Sequence, residues 1–150
     1  MLQHWNRSGI SFQYPANWEP EEETREDGWT LTLYSSGTTF LTVHFDTSMP
    51  TLEQVVDTTL SLLQEEHKDL ECKERIGSFA RQMSFGLDIH FFSFDLPCSC
   101  WVRSVFGIDG TFLILWQSSD EDLEENGPTL EAIIQSMEVI GEHEAPTDLD

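Results

Sequence analysis

The sequence predicts an α+β fold, an α/β/α sandwich whose central antiparallel sheet has about six to seven strands and is covered by two main helices. Three observations carry that expectation. Residues 83–118 read as three consecutive antiparallel strands joined by tight turns. Large apolar side chains alternate onto both faces of those strands, which asks for cover on each side rather than one wet face. Two further segments, beginning at Thr51 and near Pro128, keep the apolar spacing of amphipathic helices.

In chain order, residues 10–14 (ISFQY) alternate as a short strand, which the turn residues 15–18 (PANW) end. Residues 19–28 (EPEEETREDG) are dense in charge and are expected to form a solvated loop. Two strands follow over residues 29–34 and 39–45, the second placing Leu41, Val43 and Phe45 on one side and Phe40, Thr42 and His44 on the other. Thr51 and Gln54 fit a capping box that opens a helix, and Leu52, Val55, Val56, Leu60 and Leu63 carry its apolar face to about His67. Residues 72–79 form a weaker, more polar strand expected near a sheet edge.

The three-strand segment comes next. Asp109-Gly110 between two apolar runs suits a two-residue type I′ turn, which would set Phe106 opposite Leu113 and Arg103 opposite Trp116. The preceding turn is expected at residues 95–98, setting Ser93 opposite Cys100 and His90 opposite Arg103. One face then carries Phe85, Leu87, Ile89, Phe91, Cys100 and Val102, and the other Asp88, His90, Phe92, Phe94, Trp101, Arg103 and Trp116. Residues 119–127 read as an acidic connection, and Pro128 as the first turn of a last helix with Leu130, Ile133, Ile134 and Met137 on one face. A single domain is expected, with a folded core over about residues 9–141 and an acidic polar tail over 142–150.

Composition narrows the functional classes. The 150 residues include 28 acids and 7 lysines and arginines, a formal charge of −21. Such a field repels nucleic-acid backbones and anionic bilayers, so neither is an expected partner; it suits solubility, or docking of a basic protein. Three cysteines, an odd number, do not form a disulfide framework, and Cys98 and Cys100 point the same way along one strand. They are expected to be free and mostly buried. The N-terminal residues hold no apolar stretch of signal-peptide length, and a cytoplasmic location is the expectation.

Chemistry-bearing motifs are thin. The chain has no phosphate-binding glycine loop, G-x-S-x-G, H-E-x-x-H or paired C-x-x-C. A cysteine–histidine nucleophile would need His90 beside Cys98 or Cys100, and the expected register places it on the other face. No catalytic residue, cofactor or metal site is expected. One cluster stands out: Arg103 is the basic residue within the meander, with His90, Asp88, Trp101 and Trp116 on its face. A guanidinium in an apolar sheet needs a partner, so either Asp88 or a helix acid pairs with it, or Arg103 and His90 receive an anionic group while the tryptophans hold an apolar body. Glu21, Glu22 and Glu23, in the acidic loop, are the candidate contacts for a basic partner.

The opening ISFQYPANW (residues 10–18), two strands, a long helix, a meander and a last helix ending in IIQSMEVI (residues 133–140) together resemble the PsbP-like superfamily. The resemblance implies an antiparallel sheet between helices, and binding or assembly roles rather than a shared chemistry. The expected function is thus an acidic module for protein–protein interaction, with a carrier or sensor of a small anionic or apolar ligand as the alternative and an enzyme least expected.

Overall fold

The computed structural model describes residues 1–141; the expected acidic tail, 142–150, lies outside the described residues. Seven strands form the main antiparallel sheet in the order β3-β4-β5-β9-β8-β7-β6. They are β3 (Glu19–Arg25), β4 (Gly28–Tyr34), β5 (Phe40–Asp46), β6 (Glu71–Phe79), β7 (Gln82–Ser93), β8 (Leu96–Phe106) and β9 (Thr111–Ser119). A second, three-stranded sheet joins β1 (Leu2–Arg7), β2 (Ile10–Pro15) and the short β10 (Glu138–Val139). The helices are α1 (Leu52–Glu66) and α2 (Asp120–Ser136). Two helices on a mixed α+β frame match the expected class.

The two helices cover opposite faces of the main sheet. Val55 and Val56 of α1 pack with Leu87, Ile89, Phe91, Cys98, Cys100 and Val102. On the other side, Leu130 and Ile133 of α2 join Leu31, Leu41, Val43 and Ile114, and the small sheet adds Ile10 and Phe12 to the same core. The sheet is therefore dry on both sides through its middle, which is why its central strands carry apolar groups at odd and even positions alike.

The α1 expectation holds in detail: Thr51 is the N-cap, its hydroxyl accepts from Gln54 N–H, and the Gln54 side chain caps the Thr51 amide. The polar β6 lies at one edge, as expected. Several expectations need correcting. Residues 19–25 are not a loop but the opposite edge strand, because Glu19 to Arg25 find a full antiparallel partner in β4. Its exposed acids tolerate an edge that an apolar strand would turn into an aggregation site. Residues 120–127 are not a connection but the first half of α2; Ser119 caps it by accepting from Asp122 N–H, so Pro128 falls inside the helix. The helix stops at Ser136, and Glu138–Val139 pair with β2 rather than continuing it. Pairing also begins before Gly9, since β1 lies antiparallel to β2 from Leu2.

Both turns of the meander move. The first is the two-residue turn Phe94-Asp95, with φ 51° and 66°, so Ser93 opposes Leu96 rather than Cys100. The second centres on Ile108-Asp109, closed by Gly107 N–H to Gly110 C=O at 2.8 Å, and Phe106 opposes Thr111 rather than Leu113. Both slips are even-numbered, so every side chain keeps its expected face while its cross-strand neighbour changes.

Candidate functional site

The corrected register rebuilds the Arg103 cluster. Arg103 opposes Gly86 and Ile114, His90 opposes Ser99, and Trp101 sits directly between Asp88 and Trp116. The absence of a side chain at Gly86 lets the Arg103 chain lie across β7, where a Cβ would stand 2.7 Å from Arg103 Cδ and 2.0 Å from the Val102 carbonyl oxygen. From there Arg103 Nη2 reaches Asp88 Oδ1 at 3.0 Å, and Nη1 donates to the carbonyls of Val102 and Leu87 at 2.9 and 3.2 Å. The guanidinium also lies 4.5 Å from the Trp101 ring centre. Asp88 is shared: Arg75 Nε donates to its Oδ2 at 2.6 Å. Burial alone would raise the Asp88 pKa, but the hydrogen bonds from Arg75 and Arg103 outweigh it and hold the carboxyl below its usual range.

Arg103 is thereby consumed. Its side chain is 15% exposed and its charge is neutralised by Asp88, so it does not present a free guanidinium to an anionic ligand. Of the two readings of Arg103 left open by the sequence, ion pairing is the one the geometry favours.

The other members do line a cleft. Trp101 and Trp116 form the floor of a groove of about 450 Å³ walled by Leu123, Pro128, Leu130 and Ile134 of α2. A smaller pocket of about 240 Å³ adjoins it at the same tryptophans and Leu123, and Asp88, His90 and Ser99 line its polar side. Ser99 Oγ donates to Asp120 Oδ1 at 2.7 Å, which uses its one hydroxyl proton, so the 3.1 Å contact with His90 Nδ1 makes Nδ1 the donor. The cleft is amphipathic, with an apolar body and a polar, hydrogen-bonding end. The acidic connection expected over residues 119–127 left no α2 wall for this cleft; the Ser119 cap with Asp122 three residues on is the signal that reveals it.

The cysteines are all free; Cys98 and Cys100 are buried under α1, while Cys72 on the edge strand β6 is exposed, against the expectation that all were mostly buried. Burial pushes the Cys100 thiol up to about 12 and raises Cys98, so neither is a nucleophile at neutral pH. Among the described residues, no three His, Cys, Asp or Glu side chains are grouped to hold a metal ion.

The acids do not act as one surface. Glu21, Glu22 and Glu23 alternate along the β3 edge: Glu22 pairs with Arg7, while Glu21 and Glu23 oppose Thr32 and Thr30. A denser group gathers at the end of the sheet where β7 turns into β8. There the ring of His67, whose backbone N–H closes the end of α1 on the Leu63 carbonyl, packs 4.2 Å from Phe91, bringing Glu65 and Glu66 to one side of the hairpin. Asp120 meets Ser99 on the other side, where α2 begins, and Glu71 opposes His90 at the start of β6.

No family model and no curated protein sequence matches the chain. Solved structures do. The chain is similar to cyanobacterial PsbP (CyanoP) from Synechocystis, at 10% identity over 92% of each chain with a TM-score of 0.63. It is also similar to PA94, a Pseudomonas aeruginosa protein of unknown function, at 11% identity over 90% of this chain and 94% of that one, with a TM-score of 0.54. The fold is PsbP-like, as the order of elements implied; at such identities the likeness speaks for architecture alone.

Proposed function

We propose that this chain is a binding module that docks a basic protein through the acidic end of its sheet and catalyses no reaction. The observation that carries the reading is the gathering of Glu65, Glu66, Glu71 and Asp120 around the β7–β8 hairpin, in a chain of net charge −21. Two acids in the last turn of α1, with no basic residue there, oppose the negative end of the helix dipole. The helix dipole gains nothing from that placement, in which His67 Nε2 stands 3.9 Å from Glu66, and a cationic partner would relieve it. Long-range attraction of this kind accelerates encounter.

The test is kinetic. A partner isolated on the immobilised chain and then purified should associate markedly more slowly at 0.15 M than at 0.01 M salt, because the Debye length contracts from about 30 Å to about 8 Å, while dissociation changes little. Glu65→Lys with Glu66→Lys should reproduce much of that loss. Glu21→Lys, Glu22→Lys and Glu23→Lys together should have the smaller effect, since Glu22 is already paired with Arg7. An association rate indifferent to salt overturns the proposal.

A second reading rests on the cleft below α2. With Arg103 and Arg75 both held by Asp88, the ligand it suits is an apolar body carrying a hydrogen-bonding group toward His90 and Ser99. A thermal-shift screen tests it, since a ligand bound to the folded state raises the melting temperature.

A further inference from the structure

We propose that the tip of the β7–β8 hairpin, centred on Phe94, is the apolar anchor of the docking surface and inserts into a pocket on the partner that is lined by apolar groups and rimmed by lysine or arginine. This rests on the acidic-module reading and adds to it the residue that fixes the complex once charge has steered it.

The tip stands clear of the rest of the sheet. Pairing with β6 ends at His90 and pairing with β9 ends at Cys98, so the last rungs, Phe92 opposite Pro97 and Ser93 opposite Leu96, have no neighbouring strand on either side. Phe92 is 70% exposed, Leu96 51% and Phe94 98%. Phe92 points to the α2 side of the sheet and Leu96 to the α1 side, so the tip shows apolar surface in both directions with Phe94 at its apex.

Phe94 is also in the wrong conformation for its residue type. A two-residue turn of this kind needs positive φ at both positions, which glycine, asparagine and aspartate accept and a bulky aromatic does not. Asp95 conforms to that rule; Phe94, at φ 51°, violates it. A strained residue normally recovers its cost through packing, and Phe94 packs against almost nothing. The side chain is therefore carried outward at the expense of the fold, as contacts made only in a complex are.

The surroundings choose the occupant. Asp95 lies in the turn itself, and Glu65, Glu66, Glu71 and Asp120 flank its base. An anionic membrane meets repulsion there, and a second copy of this chain would bring the same acids face to face. A partner whose pocket is ringed by cations satisfies both parts of the surface, and places its charges beside the acidic last turn of α1.

Titration of the isotopically labelled full chain with a 14-residue leucine–lysine peptide that forms a cationic amphipathic helix tests this. Polylysine of equal charge and vesicles of phosphatidylcholine or phosphatidylglycerol serve as the other probes. The expected result is amide shift changes centred on residues 91–98, tighter binding of the amphipathic peptide than of polylysine, and no vesicle binding. Phe94→Asn should weaken the peptide at least about ten-fold while leaving polylysine unchanged. That variant suits the turn and keeps the fold, so a loss of binding is not a loss of structure. Equal affinity of the peptide for Phe94→Asn and the parent, shifts centred elsewhere, or peptide binding no tighter than polylysine overturns the anchor and leaves the acidic module standing. Failure of both cationic probes to bind at low salt overturns both. Vesicle binding that depends on Phe94 replaces the protein partner by a membrane and overturns the proposal.

Discussion

At one end of β8 the chain turns through Phe94 and Asp95, both left-handed and with no glycine between the strands; at the other it turns through Ile108 and Asp109, flanked by Gly107 and Gly110, neither in the left-handed region. The Asp-Gly signal points to the second hairpin as the one that demands positive φ, and the structure puts that demand in the first. The glycines of the β8–β9 turn answer a different need. A Cβ on Gly107 would lie 2.6 Å from Phe112 Cε2, and one on Gly110 would lie 2.6 Å from both the Asp46 carbonyl oxygen and the Phe45 ring. Those rings pack 4.7 Å apart, centre to centre, directly against the turn. One hairpin is thus shaped from inside by packing, and the other holds a strained conformation with its aromatic in solvent.

Substitutions that exchange these characters should have effects of opposite sign. The largest are in packed backbone: Gly86→Ala, with its Cβ driven against the Val102 carbonyl, should cost about 3 kcal/mol or more in urea unfolding and displace Arg103. Gly110→Ala should cost about 1–3 kcal/mol for the same reason at the β8–β9 turn. Asp88→Asn, which strips the carboxylate from both Arg75 and Arg103, should cost about 2 kcal/mol at neutral pH. The sign of its pH dependence follows from the lowered Asp88 pKa: its contribution is complete above the unfolded value, near pH 4, and is lost as pH falls through the lower folded value. The variant should therefore flatten the acid limb of the stability curve, which chemical denaturation between about pH 2 and pH 5 would show.

Smaller effects probe the outlying groups. Phe94→Asn should stabilise the fold by about 1 kcal/mol, because asparagine tolerates the left-handed region. His44, between Arg25 and Thr30 on the open face of β4 and β5, has its pKa lowered by burial first and by Arg25 second, against Asp46 and Asp27. Its neutral form is favoured in the fold, so stability should decline as pH falls below about 6.5, and His44→Gln should remove part of that decline. Ellman titration of the native chain should report Cys72 quickly, and Cys98 and Cys100 only after unfolding.

Legibility in the sequence followed the physics of each signal. The Thr51–Gln54 cap marked α1 to its first residue because capping is local. The faces of the meander were readable because alternation survives any even slip, but the neighbours were not, since register depends on which residues enter the turn. Nothing in Phe-Asp announces a left-handed pair, so the expected register sets His90 beside Arg103, whereas it lies beside Ser99. The strand over Glu19 to Arg25 was illegible because acids do not favour strands; the β4 ladder decides its conformation. Of the candidate site, Trp101, Trp116, Asp88 and His90 do gather at one cleft, and Arg103 does not line it because Gly86 opens a shorter route to Asp88. The hairpin tip was expected under cover, since both faces of β7 looked equally apolar; only the lengths of β6 and β9 show that the cover stops short of Phe92.

The central claim is that Phe94 is held out at a cost to the fold in order to bind. Its most direct test is to measure, on the same preparation, the urea midpoint and the affinity for the cationic amphipathic peptide in the parent chain and in Phe94→Asn. The account predicts opposite movements: a higher midpoint together with affinity weaker by about ten-fold or more. A midpoint that falls, or an affinity that does not change, would contradict it.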